Sequence, residues 1–225
     1  MSNEANVLVD KDIHIGFRKN VYFFVKRLFD LLCALVGCTL LIPIALIVKI
    51  FYIITGDFNS IFFTQKRIGQ YGEEFNFFKF RTMVPNADEI LFEKLNSDKE
   101  LAKEYKENKK LKNDPRITKA GKILRRTSLD ELPQLINVLK GDMSMIGNRP
   151  YIPREKRDMG KHFSEIVKTR PGITGYWQVS GRENASFKKR LELEKYYSNN
   201  QSFLLDIKIF FKTFKAVLGG HGAAE

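Results

Sequence analysis

Cysteine is almost missing from this chain: Cys33 and Cys38 are the only two among 225 residues, and both lie inside one apolar run. That scarcity excludes a disulfide-stapled fold and a zinc site built on thiolates. Histidine is nearly as rare, and His14, His162 and His221 are too scattered for a metal-binding motif. Tryptophan occurs once, and neither an internal repeat nor a low-complexity linker is visible. Acidic residues fall short of basic ones by 26 to 38, leaving a formal net charge of +12. That imbalance points to anionic partners, whether nucleic acid, phospholipid headgroups or phosphorylated small molecules. What the chain has in quantity is apolar surface: 44% of its residues are hydrophobic, which excludes a disordered chain and supports one good core or two small ones.

Leu31 to Val48 reads LLCALVGCTLLIPIALIV, 18 uncharged residues, and the apolar character resumes after Lys49 with Ile50 to Ile54. This is membrane-grade hydrophobicity. About thirty residues precede the run and no small-residue cleavage site follows it, so a retained segment is expected rather than a secretory signal. Pro43 stands at its middle and predicts an interruption. Each arm of about 12 residues would reach only ~18 Å, short of the ~30 Å hydrocarbon core. Arg18, Lys19, Lys26 and Arg27 precede the run and Lys66 and Arg67 follow it, which assigns both ends to the cytoplasmic side. The expectation is a re-entrant helix-break-helix, with a Pro-kinked spanning helix as its competitor. The segments FRKNVYFFVKRLFD before the run and SFLLDIKIFFKTFKAVLGGHG near the C-terminus mix phenylalanine with basic residues, as interfacial helices do.

Alternation in FNFFKFRTM predicts a strand from Phe75 that sends Lys79 and Arg81 to one face. The charged stretch 90–114 predicts one or two solvated helices and, as a second reading, a lid. Asp130 and Glu131 then pose a question of their own. Ser128, with Glu131 three residues on and Leu132, Leu135 and Ile136 behind, fits a capping box. Such a helix would carry Pro133 at its fifth position, where the ring and the missing N–H disrupt it, whereas a start near Asp130 puts Pro133 in the first turn. A carboxylate there either caps the helix or lies where free N–H groups also hold an anion such as phosphate. Local sequence leaves both readings open.

Taken in order, several motifs carry a resemblance. They are K-R-x-F-D at Lys26 to Asp30, KFRTM at Lys79 to Met83, DPRIT at Asp114 to Thr118, SLDELPQLINVLKGDMS at Ser128 to Ser144, GNRP at Gly147 to Pro150, and RPGITGYWQVSGR at Arg170 to Arg182. The chain resembles the bacterial sugar transferase family, the monotopic phosphoglycosyl transferases, from about Lys26 to Gly222. With the residue patterns above, the resemblance implies an α+β, helix-rich fold. Residues 1–20 are an N-terminal extension, 21–56 a re-entrant membrane anchor broken at Pro43, and 57–225 a cytosolic catalytic domain. That domain would hold a small sheet, the charged helical segment 90–114 and a C-terminal interfacial helix.

The implied reaction moves a hexose 1-phosphate from a UDP-sugar to undecaprenyl phosphate at the cytoplasmic face of a bacterial inner membrane. Asp130 is the implied nucleophile, UMP the leaving group and Glu131 the Mg²⁺ ligand. Arg125 and Arg149 match phosphate-binding positions, Lys79 and Arg81 are further candidates, and Gly147, Pro150, Gly175, Gln178 and Arg182 fall in the substrate loops. An aspartate is ionised at neutral pH without help from a base, its reference pKa being about 3.9, but it must approach an anionic diphosphate. Metal and arginine forks offset that repulsion. The implied partners are the UDP-sugar, undecaprenyl phosphate and membrane phospholipids, not nucleic acid, and a homo-oligomer stays open. The long segment between RTM and DPRIT is similar to members that use UDP-galactose or UDP-glucose. Asn148 stands where the family commonly has Pro, and Tyr176 and Trp177 where Trp-Ala is frequent. Three rivals make different demands. A non-catalytic lipid-phosphate-binding scaffold tolerates Asp130→Asn, a membrane-tethered nucleic-acid binder needs a reading motif not found here, and a glycosyl transferase moving the sugar alone releases UDP.

Overall fold

The apolar run folds as part of one helix, α1 (Phe17–Ile54), with Pro43 in its interior. The structure is a computed structural model that describes residues 17–108, 111–180 and 186–218. The expected break into two arms is therefore corrected: the helix is continuous across Pro43, which leaves the Thr39 carbonyl without its N–H partner. The Thr39 hydroxyl donates to the Val36 carbonyl one turn back at 2.7 Å, a second feature of the kind that bends helices without ending them.

After α1 the chain makes an antiparallel hairpin of β1 (Phe62–Ile68) and β2 (Glu74–Phe80), with Phe63 opposite Lys79 and Arg67 opposite Phe75. The charged segment follows as α2 (Ala87–Ser97) and α3 (Lys99–Asn108), helical as its pattern predicts. Next come α4 (Lys119–Thr127) and α5 (Gln134–Lys140), joined by a 3₁₀ turn at Leu129–Glu131. A second, parallel strand pair is made by β3 (Ser144–Ile146) and β4 (Gly172–Thr174), with the short helices α6 (Lys156–Met159) and α7 (Phe163–Ile166) between them. The short α8 (Tyr176–Ser180), α9 (Phe187–Asn199) and α10 (Phe203–Leu218) complete the described chain.

The core shows why the anchor is not a separate unit. Leu41, Val48 and Tyr52 of α1 bury themselves with Ile61, Phe80, Ala120 and Leu124, and Ala34 joins Phe75, Phe77, Leu135, Val138 and Met143. The charged letters of K-R-x-F-D dock the same helix. Lys26 pairs with Asp206 of α10 at 2.5 Å, and Arg27 donates to the Val138 carbonyl at 2.7 Å, a last-turn acceptor of α5 where a cation is favoured. Asp30, buried, accepts from Ser144 Oγ and from the Met145 N–H. The other side of α1 is bare hydrocarbon, with Leu35, Val36, Ile42, Leu46, Ile47 and Ile54 all exposed. Phe203, Leu204, Phe211 and Phe214 on α10 continue that surface, and Phe29 meets Phe210 edge-on across the joint.

Candidate active site

The hairpin supplies the floor of one cavity of about 550 Å³, lined by Phe63, Gln65 and Arg67 from β1 with Lys79 and Arg81 from the end of β2. The strand expectation thus holds, and the two cations reach the same wall.

Arg125 enters the cavity from α4, whose start and end are both set by local chemistry. Thr118 is the N-cap, its hydroxyl accepting from the Gly121 N–H at 2.9 Å. Gly121 then lies against the Thr82 carbonyl so closely that a Cβ has no room, which brings α4 onto the chain just after β2. Arg125 Nε donates to Thr82 Oγ1 at 3.0 Å, orienting the guanidinium. The helix stops at Ser128, whose φ of 57° is left-handed and whose N–H returns to the Arg125 carbonyl.

That reversal decides whether Ser128 caps a helix. Its side chain makes no cap, so the capping-box reading fails, and α5 begins at Gln134 with Pro133 as its N-cap. Asp130 and Glu131 occupy the intervening 3₁₀ turn, where successive side chains diverge by about 120°. Asp130 is 1% exposed while Glu131 is half-buried. The turn packs on β2, and Asp130 lies within electrostatic reach of Tyr52 on α1. Neither carboxylate is among the residues that line the cavity, although Arg125, five positions earlier, is.

Arg149 reaches the cavity from the turn after β3. That turn is built from backbone laid on backbone. A Cβ on Gly147 would strike the Arg170 carbonyl, and one on Gly175 would strike the Gly147 carbonyl. Gln178 donates to the Ile173 carbonyl, and the Pro150 carbonyl accepts from Arg67 at 3.0 Å. Gly147, Pro150, Gly175 and Gln178 therefore support Arg149 from behind and do not line the cavity. Arg182 lies outside the described residues. Asn148, where proline was the family expectation, uses its side-chain amide to bind the Ile166 carbonyl and Ser198 Oγ at 3.1 and 2.7 Å, tying the turn to α7 and α9.

Arg81 has internal partners as well as a place on the cavity wall. Its guanidinium is bidentate to Asp57 at 2.9 Å, donates to the Ser60 and Met83 carbonyls, and lies over the Tyr52 ring. It is structural although it borders the cavity. Several wall residues were given no role in the sequence reading. Arg116 is bidentate to Asp114; burial raises the Asp114 carboxyl, but the Arg116 bonds and charge outweigh it and hold it below the usual range. Arg190, one turn before Glu194 on α9, stacks at 4.5 Å on Trp177. Tyr105 and Leu111 close the far wall, and the Tyr105 hydroxyl accepts from Arg154 at 3.3 Å.

Among the described residues no three His, Cys, Asp or Glu side chains converge as a metal centre. Glu131 is half-buried in the 3₁₀ turn and is not on the cavity wall; a lone carboxylate of this kind is compatible with a Mg²⁺ that is otherwise held by phosphate oxygens and water.

Comparison with known proteins adds a second kind of observation. The description "Bacterial sugar transferase" matches residues 21–220. The chain is 42% identical over 200 residues to an undecaprenyl-phosphate galactose phosphotransferase of Salmonella typhimurium, covering 89% of this chain and 42% of that protein. It is 44% identical over 200 residues to a UDP-galactose-lipid carrier transferase of Erwinia amylovora, with the same shares, 89% and 42%. Against the exopolysaccharide production protein ExoY of Sinorhizobium fredii the identity is 40% over 198 residues, covering 88% of this chain and 87% of the relative. The chain thus spans about two fifths of the first two relatives and most of the third.

Proposed function

The chain belongs to the bacterial sugar transferase family, and from that premise we propose that it transfers a hexose 1-phosphate from a UDP-sugar to undecaprenyl phosphate at a membrane surface. The observation that carries this reading is the meeting of Lys79, Arg125 and Arg149, from three distant segments, on one cavity, with Asp130 buried in the turn that follows the helix of Arg125. Such a cluster suits a diphosphate, with guanidinium forks binding phosphate oxygens bidentately. The names of these relatives favour galactose as the sugar.

In the first step a carboxylate oxygen of Asp130 attacks the phosphorus bearing the sugar. A P–O bond forms, the bond to the bridging oxygen breaks, and UMP leaves with the electron pair. In the second step an oxygen of undecaprenyl phosphate attacks the same phosphorus and expels the Asp130 carboxylate. Arg125 and Arg149 hold the non-bridging oxygens and oppose charge gathering on UMP. Glu131, diverging from Asp130, is the residue that would hold Mg²⁺. When bound, the ion neutralises the diphosphate.

The membrane reading rests on α1, the one described helix long and apolar enough to cross a bilayer. Its early residues Tyr22, Lys26 and Asp30 and its late residues Val48 and Tyr52 dock onto the same globular body. A helix that crossed would separate its two ends by the ~30 Å core. Docking along α1, including Ala34 and Leu41 near its middle, supports a helix that stays on one side of the membrane, with the body on the cytoplasmic face. Phospholipids then cover the bare side of α1 and α10.

The test is the identity of the nucleotide released by detergent-purified protein given Mg²⁺, undecaprenyl phosphate and a panel of UDP-hexoses. UMP release that vanishes in Asp130→Asn is expected. UDP release, or an Asp130→Asn protein of normal melting temperature and near-normal rate, would overturn the mechanism.

A further inference from the structure

Glu194 is a buried acid that the transfer chemistry above leaves without a task. It is 0% exposed on α9 and does not line the cavity, yet two of the cavity's cations touch its surroundings. One carboxylate oxygen accepts the Arg149 backbone N–H at 3.0 Å. The other lies beside the Tyr151 hydroxyl without a hydrogen bond of good geometry between them. Arg190, one helical turn before it, is 5% exposed and lies between the Trp177 and Phe187 rings at 4.5 and 5.8 Å. Both arginines line the cavity.

We propose that Glu194 is a positioning residue of the transfer reaction, fixing the Arg149 main chain and setting how much cationic charge Arg149 and Arg190 present to the donor diphosphate. This rests on the phosphoglycosyl transfer reading. The geometry makes the effect two-sided. The hydrogen bond to the Arg149 N–H needs only an acceptor oxygen, which a carboxyl provides in either protonation state. The charge is different: a carboxylate here draws on Arg149 and Arg190, whereas the neutral acid leaves their full charge to a phosphate.

The surroundings put that titration near neutrality. Burial pushes Glu194 up to about 7, against the Arg149 N–H bond, the Tyr151 hydroxyl and the charges of Arg190 and Arg149. Other charged groups nearby face elsewhere or act at second hand: Glu155 acts on Arg190, Glu165 pairs with Lys195, and His162 acts on Glu192. Donor affinity should therefore be greatest below about pH 7 and weaken as Glu194 ionises. One unit charge several ångströms from a phosphate at an effective dielectric near 20 is worth about a tenfold change.

The experiment measures donor KM and kcat from pH 5.5 to 8.5 in the full chain with the UDP-hexose that it turns over, together with melting temperature. Wild type is expected to show KM rising about tenfold across this window, with a smaller change in kcat. Glu194→Gln keeps the acceptor for the Arg149 N–H and removes the charge, so its KM should stay flat near the wild-type low-pH value. Glu194→Leu removes the acceptor and should lower kcat/KM at every pH. A Glu194→Gln profile that follows wild type overturns the proposal, as does a Glu194→Leu protein of unchanged melting temperature and wild-type kcat/KM. A wild-type protein that releases no nucleotide from any donor overturns the transfer reading itself.

Discussion

Ser128 decides more of the site than its small side chain suggests. A left-handed backbone at a non-glycine residue costs of order 1 kcal/mol and persists only when its surroundings impose it. Here it ends α4 and starts the turn that buries Asp130. Arg149 gives the sharpest test of charge geometry. Arg149→Ala is expected to lower kcat/KM by about a hundredfold or more, and Arg149→Lys to recover little, because an ammonium cannot span two phosphate oxygens. Steady-state kinetics beside a melting curve check this; full recovery by lysine would mean that bidentate binding is not its role. Arg125 and Arg149, which share one cavity wall, could be singled out in the sequence because their motifs are short and ordered. The pairing of Arg81 with Asp57 was not legible, because Asp57 lies 24 residues away and no local pattern announces a bidentate pair.

Gly121 joins residue to element. Its missing Cβ lets α4 press against the backbone at Thr82, where nothing can yield. Gly121→Ala is expected to destabilise the protein by about 1–3 kcal/mol, read as a lowered melting temperature, and to cost activity by displacing Arg125. Unchanged stability would show that the two segments separate easily. For α1 the relevant test is topology. In a protein lacking Cys33 and Cys38, Asn20→Cys and Asn59→Cys should both react with an impermeant thiol reagent only from the cytoplasmic side. Reaction of Asn20→Cys from outside would make α1 a spanning helix. Its apolar nature could be read in the chain. Its continuity could not, because a helix docked along one side on α5, β3 and the hairpin can tolerate the loss of one hydrogen bond.

Across the whole molecule, charge and hydrocarbon divide the work of membrane contact. The net charge of +12 attracts anionic headgroups, but such attraction is screened within about 3 Å at 1 M salt. The exposed apolar side of α1 and α10 is not screened. A wash in about 1 M salt should leave the protein in the membrane pellet, and nonionic detergent should release it. Release by salt alone would assign the attachment to charge. The sequence by itself determined that there is an apolar helix, a charged helical segment, a strand carrying Lys79 and an acidic pair just before Pro133. Composition, period and spacing are local properties, and each of these features is local. Only the tertiary structure decided that Lys79, Arg125, Arg149 and Arg190 share one cavity, that Arg81 is held by Asp57, and that Glu194 sits behind Arg149. Those depend on contacts between segments far apart in the chain, made when apolar faces of α1, the hairpin, α5 and α9 are buried together and the polar groups they carry must find partners.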